Sequence, residues 1–374
     1  MHLFHITQQT QLNSFCESLL KNKPEILSVD TEFIRKTTYW PKLCLIQLAF
    51  HDQIALIDPL SESLDLSPLK PIFLDNDILK IFHAARQDLE VLYKLWGEVP
   101  QSIADTQILA MVCGFGDSVS YDKLSEAIIK KKVDKSQQHT DWAQRPLSQK
   151  QLAYAAGDVE WLESIYTKLL SEAGPKAEYI QEELDLLKNP ALYQPDPENA
   201  WLKIKQFIPY KPDVLGALKA IAAVREHYAL AQNKPRSHII KDEVLIQMAL
   251  KSGLSASDLA TLGIKDAALQ KDLIQALHIA TPITKHFEAK DKRNNFLVEV
   301  LTILLKVQSE THGIAPKLIA TRERIDLFLE NPQVSPLMQG WRADLFGDIA
   351  LNIKEGKMAL AFDPQTMGPV FVSR

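Results

Sequence analysis

Two carboxylates lie two positions apart in a short apolar segment, Ser28-Val29-Asp30-Thr31-Glu32-Phe33. Side chains alternate faces along a strand, so Asp30 and Glu32 are expected on the same face. Two adjacent carboxylates repel each other, and burial raises their pKa values. A divalent cation relieves both effects, and carboxylate oxygens suit magnesium or manganese. The pattern favours a metal site; the alternative is an edge strand with one polar face in water.

A second pair, Tyr154 and Asp158, lies in a segment with helical spacing. Positions i and i+4 share one face of a helix, so the phenol and the carboxylate are expected about one turn apart. A tyrosine beside a metal-bound carboxylate can hold a water molecule for attack. Taken alone, the pair is better explained as a surface aspartate near a core tyrosine.

A further acidic residue, Asp88, follows the apolar run Ile78–Phe82 and lies at or near a helix start. Aspartate at that position is commonly a cap or a partner for the helix dipole, and taken singly that explanation is the better one. The three segments become informative together, as a strand Asp-x-Glu, an Asp at a helix start and a Tyr-x-x-x-Asp on a later helix.

The elements that must position these residues are short strands alternating with helices. Strands are predicted at Ile26–Phe33, Leu43–Phe50, Gln53–Ile57 and Ile78–Phe82. Helices are predicted at Gln11–Leu20, Asp88–Trp96 and Thr106–Val112. This alternation predicts an α/β architecture with a mixed sheet.

One long helix is predicted from Ser148 to about Ala173, and it carries the tyrosine–aspartate pair. Ser148 is a suitable N-cap, with Gln151 at the capping-box position. Gly174-Pro175 is expected to end the helix.

Five prolines between residues 189 and 212 predict a boundary, beyond which the β signal nearly vanishes. Helices of modest length are predicted at Val214–Gln232, Lys241–Leu250, Ser257–Leu262, Asp266–Ala280, Asn294–Gln308 and Pro316–Glu330. We therefore expect an α/β domain over 1–205 and two helical domains over 206–290 and 291–374. A length of 374 residues is consistent with two or three domains.

The composition is that of an ordinary globular protein, with 46% hydrophobic and 24% charged residues. No apolar run approaches the roughly 18 residues that a membrane helix needs. The first residues lack the pattern of a secretory signal, and three cysteines are too few for a disulfide framework. These observations predict a cytoplasmic protein that does not enter a membrane.

Charge is distributed unevenly along the chain. The net charge of −5 divides into about −10 over 1–200 and about +5 over 201–374. The difference suggests separate tasks for the two halves, with chance segregation of surface charge as the alternative.

The three acidic segments together resemble the DEDD exonucleases, in their tyrosine-bearing subgroup. Within that group, the flanking segments are similar to the ribonuclease D family over about residues 1–200. The segments that carry this resemblance are Thr38–Leu48, Ala55–Leu60, Asp105–Ala110 and Thr140–Leu147. The resemblance implies a ribonuclease H-like mixed sheet and a 3′–5′ exoribonuclease that releases nucleoside 5′-monophosphates. It also implies RNA with an accessible 3′ end as substrate, such as transfer-RNA precursors and other small stable RNAs, and we expect a monomer.

The same resemblance implies a two-metal site, with magnesium or manganese as the expected ions. Asp30 would bridge both metals, and Glu32 and Asp158 would bind the one that holds the attacking water. Asp88 would support the second metal, and Tyr154 would orient the water for in-line attack. Gln47, His83, Trp142 and Arg145 lie in family-like segments, but the sequence assigns them no role.

Residues of about 210–290 resemble the HRDC domain, a small helical nucleic-acid-binding module, through Pro235–Leu245 and Leu259–Gly263. Residues 291–374 resemble a second, more divergent module of this kind through Ala315–Ile325 and Gly340-Trp341-Arg342. The resemblance implies two all-α domains that grip structured RNA. The alternative is a scaffold that shields the exonuclease surface.

Two other functions fit part of the pattern. A DNA 3′–5′ exonuclease would use the same acids, because the metals act on phosphate in either polymer. A non-catalytic RNA-binding adaptor would keep the fold without the chemistry, although all five site positions are present here. A dinucleotide-dependent enzyme is excluded by the lack of a Gly-rich phosphate loop after the first strands.

Overall fold

The structure is a computed structural model that describes residues 2–61, 64–205, 211–284, 292–365 and 367–374. Its first part alternates strands and helices as predicted. In chain order these are β1 His2–Ile6, α1 Gln9–Asn22, β2 Ile26–Ile34, β3 Lys42–Phe50, β4 Gln53–Ile57, α2 Lys70–Leu74, β5 Leu79–Phe82, α3 Arg86–Trp96, β6 Ile103–Asp105, α4 Thr106–Ala110, α5 Tyr121–Ile129, α6 Gln149–Glu160, α7 Leu162–Ala173 and α8 Gln181–Lys188.

The six strands form one mixed sheet in the order β1-β4-β3-β2-β5-β6. β1 runs parallel to β4, β3 runs antiparallel to β4, and β5 runs parallel to both β2 and β6. The predicted α/β class with a mixed sheet is confirmed. β2 lies inside the sheet, with Leu27 and Val29 fully buried, so the strand that carries Asp30 and Glu32 is not the edge strand of the alternative reading.

Two strands were not predicted from the sequence. β1 has four exposed residues before the buried Ile6, so it lacks the apolar alternation that identifies a strand. β6 has only three residues, below the length at which a periodic pattern can be recognised. Both are defined by their neighbours in the sheet, through the pairs Ile6 with Ile57 and Phe82 with Asp105.

The long helix predicted from Ser148 to Ala173 is instead two helices, α6 and α7, that meet at Trp161. Its predicted start is confirmed: the Ser148 hydroxyl accepts from the Gln151 N–H, and the Gln151 side chain accepts from the Ser148 N–H. Trp161 has φ −114° and ψ 1°, so the helical hydrogen bonding is interrupted there.

The rest of the chain is mainly helical. Its elements are α9 Pro212–Ala231, α10 Arg236–Ile239, α11 Asp242–Ala249, α12 Ala256–Thr261, α13 Ala267–Ile279, α14 Lys292–His312, α15 Pro316–Ile319, α16 Arg322–Glu330, α17 Gly340–Arg342, α18 Asp348–Lys354, β7 Met358–Asp363 and β8 Gly368–Ser373. β7 and β8 form an antiparallel hairpin. The prediction of helices alone over 291–374 is therefore corrected, because the sequence reading missed this hairpin. Its residues are partly or fully exposed, and such strands give a weak apolar signal.

Contacts group the chain into two compact units. The first comprises Met1–Glu32, Cys44–Pro190 and Glu288–Arg374; the second comprises Phe33–Leu43 and Ala191–Phe287. The predicted boundaries lie between residues 205 and 206 and between residues 290 and 291. The first adjoins 206–210 and the second lies in 285–291, and both of these segments are outside the described residues. The division into three domains stays a prediction.

The first unit has a core that spans a long separation in sequence. Leu109, Leu124 and Leu169 belong to the same buried cluster as Leu304 and Phe328. The backbone also joins the two parts, because the Ala315 N–H donates to the Met111 carbonyl at 2.7 Å. Helices α14 to α18 therefore complete a core that α4, α5, α7 and α8 begin.

The second unit has a separate core, built from α9 to α13 and centred on Leu218, Ile221 and Leu273. α9 approaches the segment after α13 at Gly216, where a Cβ atom would lie 2.1 Å from the Thr281 carbonyl oxygen. Glycine is required there by close packing. Among the described residues, no helix combines the length and the hydropathy needed to cross a lipid bilayer.

The shared core predicts that a cavity in α14 destabilises the first unit. We expect Leu304→Ala, at a fully buried position, to lower the free energy of unfolding by about 2–5 kcal/mol. Leu327→Ala, on the partly exposed face of α16, is the matched control and should cost under about 1 kcal/mol. Chemical denaturation followed by circular dichroism measures both; equal small losses would show that α14 does not share the core.

Candidate active site

Three carboxylates converge at the centre of the sheet. Asp30 and Glu32 come from β2, and Asp158 comes from the last turn of α6. One oxygen from each of the three lies within 4.8 Å of the others. The structure thus brings together acids from segments more than 120 residues apart in sequence.

Asp88 lies beside this group, in the first turn of α3, and is buried. Its Oδ1 accepts a hydrogen bond from the Thr31 hydroxyl at 2.5 Å. Thr31 belongs to β2, between the two strand acids, so one strand positions three of the four carboxylates. Asp88 is not one of the three residues whose carboxylate oxygens lie within 4.8 Å of one another.

The pKa values of all four acids are raised above their usual values. Burial raises the pKa of Asp30 to about 7. Burial, and then repulsion from Asp30, Asp158 and Asp88, raises the pKa of Glu32 to about 10. Burial and repulsion from Asp30 raise the pKa of Asp158 to about 8. The pKa of Asp88 is also raised, first by burial and then by Asp30.

This donor set fits a hard divalent cation. Carboxylate oxygens are the ligands that magnesium and manganese prefer, and the charge of the cation would offset the burial and the repulsion that raise the pKa values. Cysteine, the soft ligand that zinc or copper would favour, does not contribute to this group. Cys16 and Cys44 are buried elsewhere, and Cys113 packs against the helical core. The acidic cluster can therefore hold a divalent metal.

Tyr154 lies one turn before Asp158 on α6, as predicted, and shares a hydrogen bond with the Asp158 carboxylate. Burial, followed by the negative charges of Asp158, Glu32 and Asp30, raises the pKa of its phenol. Tyr154 therefore keeps its proton and acts as a hydrogen-bond donor. Its ring packs against Trp142, with 5.9 Å between the ring centroids.

Asp105 fixes the start of α3, although the sequence assigned it no role. Its carboxylate accepts hydrogen bonds from the N–H groups of Ala84 and Ala85 at 3.0 and 2.8 Å. It also caps α4 through the N–H groups of Gln107 and Ile108. Ala84 has φ +61°, a conformation that a non-glycine residue adopts only when its surroundings stabilise it. A buried Asp at a strand end before a helix is the signal that could have identified it.

Tyr121 supports the other end of the site. Its hydroxyl, on α5, donates to the Gly157 carbonyl at 3.0 Å and accepts from the Trp161 N–H at 3.3 Å. These two bonds span the junction of α6 and α7, next to Asp158. The junction therefore has a tertiary cause, which explains why the local sequence predicted an unbroken helix.

Arg145 holds the segment that leads into α6. Its guanidinium Nη2 donates to the Cys44 carbonyl and to Asp58 Oδ1, both at 2.7 Å, and Nε lies 2.7 Å from Asp58 Oδ2. Nη1 donates to the carbonyls of Trp142 and Gln144. Arg145 thereby ties the Trp142 segment to β3 and to the residue after β4.

His83 and Gln47 are the remaining two residues to which the sequence assigns no role. His83 contacts Thr106 Oγ1 at 2.9 Å and the Val119 carbonyl at 3.1 Å, and burial lowers its pKa. Gln47 is fully buried in β3.

A profile for the 3′–5′ exonuclease family matches residues 3–173. The chain is 37% identical to the ribonuclease D of Gluconacetobacter diazotrophicus over 373 residues, which covers 96% of this chain and 94% of the relative. It is 39% identical to the ribonuclease D of Bartonella henselae, over 94% of this chain and 90% of that one. The chain belongs to the ribonuclease D family.

A solved structure agrees with this assignment. The ribonuclease D of Escherichia coli, described as an exoribonuclease involved in structured RNA processing, superposes with a TM-score of 0.78 at 30% identity. The match covers 95% of this chain and 99% of that one. As a ribonuclease D, this chain is a hydrolytic 3′–5′ exoribonuclease with an α/β exonuclease domain and a helical C-terminal region.

The raised pKa values predict how metal and pH affect stability. The folded, metal-free protein keeps protons that the unfolded chain has released, so its stability should fall as the pH rises from about 5 to about 8. A divalent cation should offset this loss, so added Mn²⁺ should raise Tm more at pH 8 than at pH 5. Differential scanning fluorimetry with and without EDTA measures both effects.

Two variants test whether the Mn²⁺-dependent rise in Tm originates at the acidic cluster. Asp158→Asn should stabilise the metal-free protein at pH 8 and abolish most of the Mn²⁺-dependent rise in Tm. Asp52→Asn, in the exposed β3–β4 turn, should change neither. An unchanged Mn²⁺ response in Asp158→Asn would place the metal elsewhere.

Proposed function

We propose that this ribonuclease D trims the 3′ ends of RNA by two-metal hydrolysis, with Asp30, Glu32, Asp88 and Asp158 as metal-binding residues and Tyr154 as the residue that orients the attacking water. The observation that supports this most is the cluster of three carboxylates with Tyr154 hydrogen-bonded to one of them. When bound, two magnesium or manganese ions would supply a metal-activated hydroxide and stabilise charge on the phosphate and on the leaving oxygen.

The protein residues have distinct tasks in this proposal. Asp30, whose charge acts on Glu32, Asp88 and Asp158, would be the ligand shared by the two metals, and Glu32 and Asp158 would hold the metal that binds the nucleophilic water. Asp88 would support the second metal. Tyr154, whose phenol stays protonated, would donate the hydrogen bond that orients the water. The product is a nucleoside 5′-monophosphate, and no covalent enzyme intermediate is needed.

We propose RNA with an unpaired 3′ end as substrate, and transfer-RNA precursors and other small stable RNAs as the substrates in the cell. The Escherichia coli relative is described as acting in structured RNA processing, which supports this substrate class over DNA. Three cysteines are few for a chain of this length; we propose that the protein acts in the cytoplasm, and we expect it to act as a monomer.

The helical second unit offers a site for RNA phosphates. A cavity of about 450 Å³ is lined by Lys203, Arg225, Arg236, Ser237 and Lys241, together with Asp242 and Glu243. Basic side chains around a cleft attract the phosphate backbone. This supports RNA binding by the HRDC-like region between about 206 and 290.

Asp30→Asn should abolish exonuclease activity and leave the fold intact, because it removes a ligand shared by both metals. Tyr154→Phe should lower kcat by about 10–10³-fold, since the water loses its orienting hydrogen bond. The assay follows a 5′-labelled RNA with an unpaired 3′ tail, with Mg²⁺ or Mn²⁺ and with EDTA. Activity of Asp30→Asn within about tenfold of wild type would contradict the assignment.

The same assay separates the competing functions. Matched RNA and DNA oligomers digested at equal rates would favour a general exonuclease. Tight RNA binding without shortening in any divalent metal would favour a non-catalytic adaptor.

The cavity in the second unit can be tested without deleting any segment, since removing 292–374 would expose the shared core of the first unit. We expect Lys203→Ala with Lys241→Ala to raise the Kd for structured RNA about tenfold and to reduce the salt dependence of binding. Lys271→Ala, at an exposed position on α13, is the control. Equal Kd values for both proteins would leave only a scaffolding role for this surface.

A further inference from the structure

The side chain of Tyr121, the first residue of α5, reaches the backbone at the junction of α6 and α7, within the first compact unit. In an unbroken α-helix, the Trp161 N–H would donate to the Gly157 carbonyl, four residues earlier. The Tyr121 hydroxyl bridges these two groups, donating to the carbonyl at 3.0 Å and accepting from the N–H at 3.3 Å. A side chain that enters the helical hydrogen-bond ladder in this way bends or interrupts the helix. The hydroxyl therefore accounts for the place of the junction.

The carbonyl that Tyr121 binds belongs to the peptide group that joins Gly157 to Asp158. A peptide group is planar, so a hydrogen bond to its carbonyl also restrains the backbone from which the Asp158 side chain leaves the helix. Packing at Gly157 adds little restraint. A Cβ atom there would have one neighbour within 4 Å among the described residues outside its own helix, Val133 Cγ1 at 3.9 Å. The direction of Asp158 thus depends on the bond from Tyr121.

The Tyr121 ring contacts the turn that leads to Asp88. It lies against the His83 imidazole, with 5.7 Å between the ring centroids and 59° between the ring planes. His83 Nε2 also lies 3.1 Å from the carbonyl of Val119, two residues before Tyr121. Tyr121 therefore touches both elements that carry acids outside β2, namely the turn before Asp88 and the helix end that carries Asp158.

The acids of the cluster act on the Tyr121 phenol. Burial is the largest cause that raises the pKa of this phenol, and the negative charges of Asp158 and Asp30 raise it further, against the opposing effect of the Trp161 N–H. The phenol therefore keeps its proton when the acids ionise. The bond that it donates to the Gly157 carbonyl is present whether or not the acids are charged.

We propose that Tyr121 is a positioning residue for the exonuclease reaction: by bridging Gly157 and Trp161, it keeps α6 and α7 from joining into one helix and directs the Asp158 carboxylate into the acidic cluster. The proposal rests on the proposed function, in which Asp158 holds the metal that binds the attacking water. Without the hydroxyl, the Trp161 N–H and the Gly157 carbonyl can pair directly, as in the unbroken helix that the local sequence predicts. A shift of about 1 Å in a reacting group can cost about 10²-fold in rate.

The test compares Tyr121→Phe with Tyr166→Phe. Phenylalanine at position 121 keeps a ring against His83 and removes only the hydroxyl that bridges the junction. Tyr166, on α7, is the matched control, because it packs against the same buried cluster as Tyr121 but bonds neither of the two backbone groups that Tyr121 bridges. Each variant is assayed on a short RNA with an unpaired 3′ end. Calorimetry gives its Mn²⁺ affinity, and differential scanning fluorimetry gives its Tm.

We expect Tyr121→Phe to lower kcat about tenfold or more, with KM within about twofold, and to weaken Mn²⁺ binding about tenfold. Tyr166→Phe should match wild type in kcat, KM and Mn²⁺ affinity. His83→Gln keeps an amide donor for the Val119 carbonyl and removes the ring that lies against Tyr121, so it should lower kcat and Mn²⁺ affinity by smaller factors. If Tyr121→Phe does not fold, His83→Gln decides, and unchanged kcat and Mn²⁺ affinity in it would then overturn the proposal.

Three further results would overturn the proposal. One is a lower Tm in Tyr121→Phe with unchanged kcat and Mn²⁺ affinity, which would leave a purely structural contact. Another is a raised KM with unchanged kcat and Mn²⁺ affinity, which would make Tyr121 a contact for RNA. The third is an equal loss in Tyr166→Phe, which would attribute the effect to a loosened core. If wild-type protein binds Mn²⁺ but degrades no RNA, the proposed function fails, and the Mn²⁺ affinities of the variants still decide the positioning role.

Discussion

Repulsion among Asp30, Glu32, Asp88 and Asp158 is the constraint on which the rest of the structure depends. Burial raises the pKa of each carboxyl, and repulsion from neighbouring carboxylates raises it further for Glu32, Asp88 and Asp158. The fold therefore holds the metal-free arrangement at a cost in free energy. Such an arrangement persists only if its surroundings are rigid. The same repulsion favours the binding of a cation, because a positive charge interacts favourably with every one of these carboxylates at once.

Rigidity comes from buried polar residues at the ends of the elements that carry the acids. Asp105 fixes the turn before α3, Tyr121 fixes the end of α6, and Arg145 fixes the segment before it. Each makes several hydrogen bonds to backbone atoms, and a buried backbone group without a partner is costly. The acids are therefore positioned by hydrogen bonds to main-chain atoms. Substituting the residues that contribute those main-chain atoms would leave the bonds in place.

The sequence predicts the parts of the site that depend on local periodicity. The alternation around Asp30 and Glu32, the capping box at Ser148 and the i, i+4 spacing of Tyr154 and Asp158 each describe one element. The parts of the fold and of the site that the sequence does not predict depend on tertiary contacts. The α6–α7 junction needs Tyr121 from another helix, β1 is defined by its pairing with β4, and the assignment of Phe33–Leu43 to the helical unit depends on Glu226 and Arg236, almost 200 residues later.

The shared core of the first unit has a consequence for biosynthesis. On the ribosome, residues 109–184 are made before 191–287, the larger part of the second unit, and their partners in α14 to α18 are made after it. The second unit has its own core, so it can fold while the apolar faces of α4, α5 and α7 still await burial. Exposed apolar surface of this kind is prone to aggregation or chaperone binding. A nascent chain should thus acquire the complete core of its first unit only late in translation.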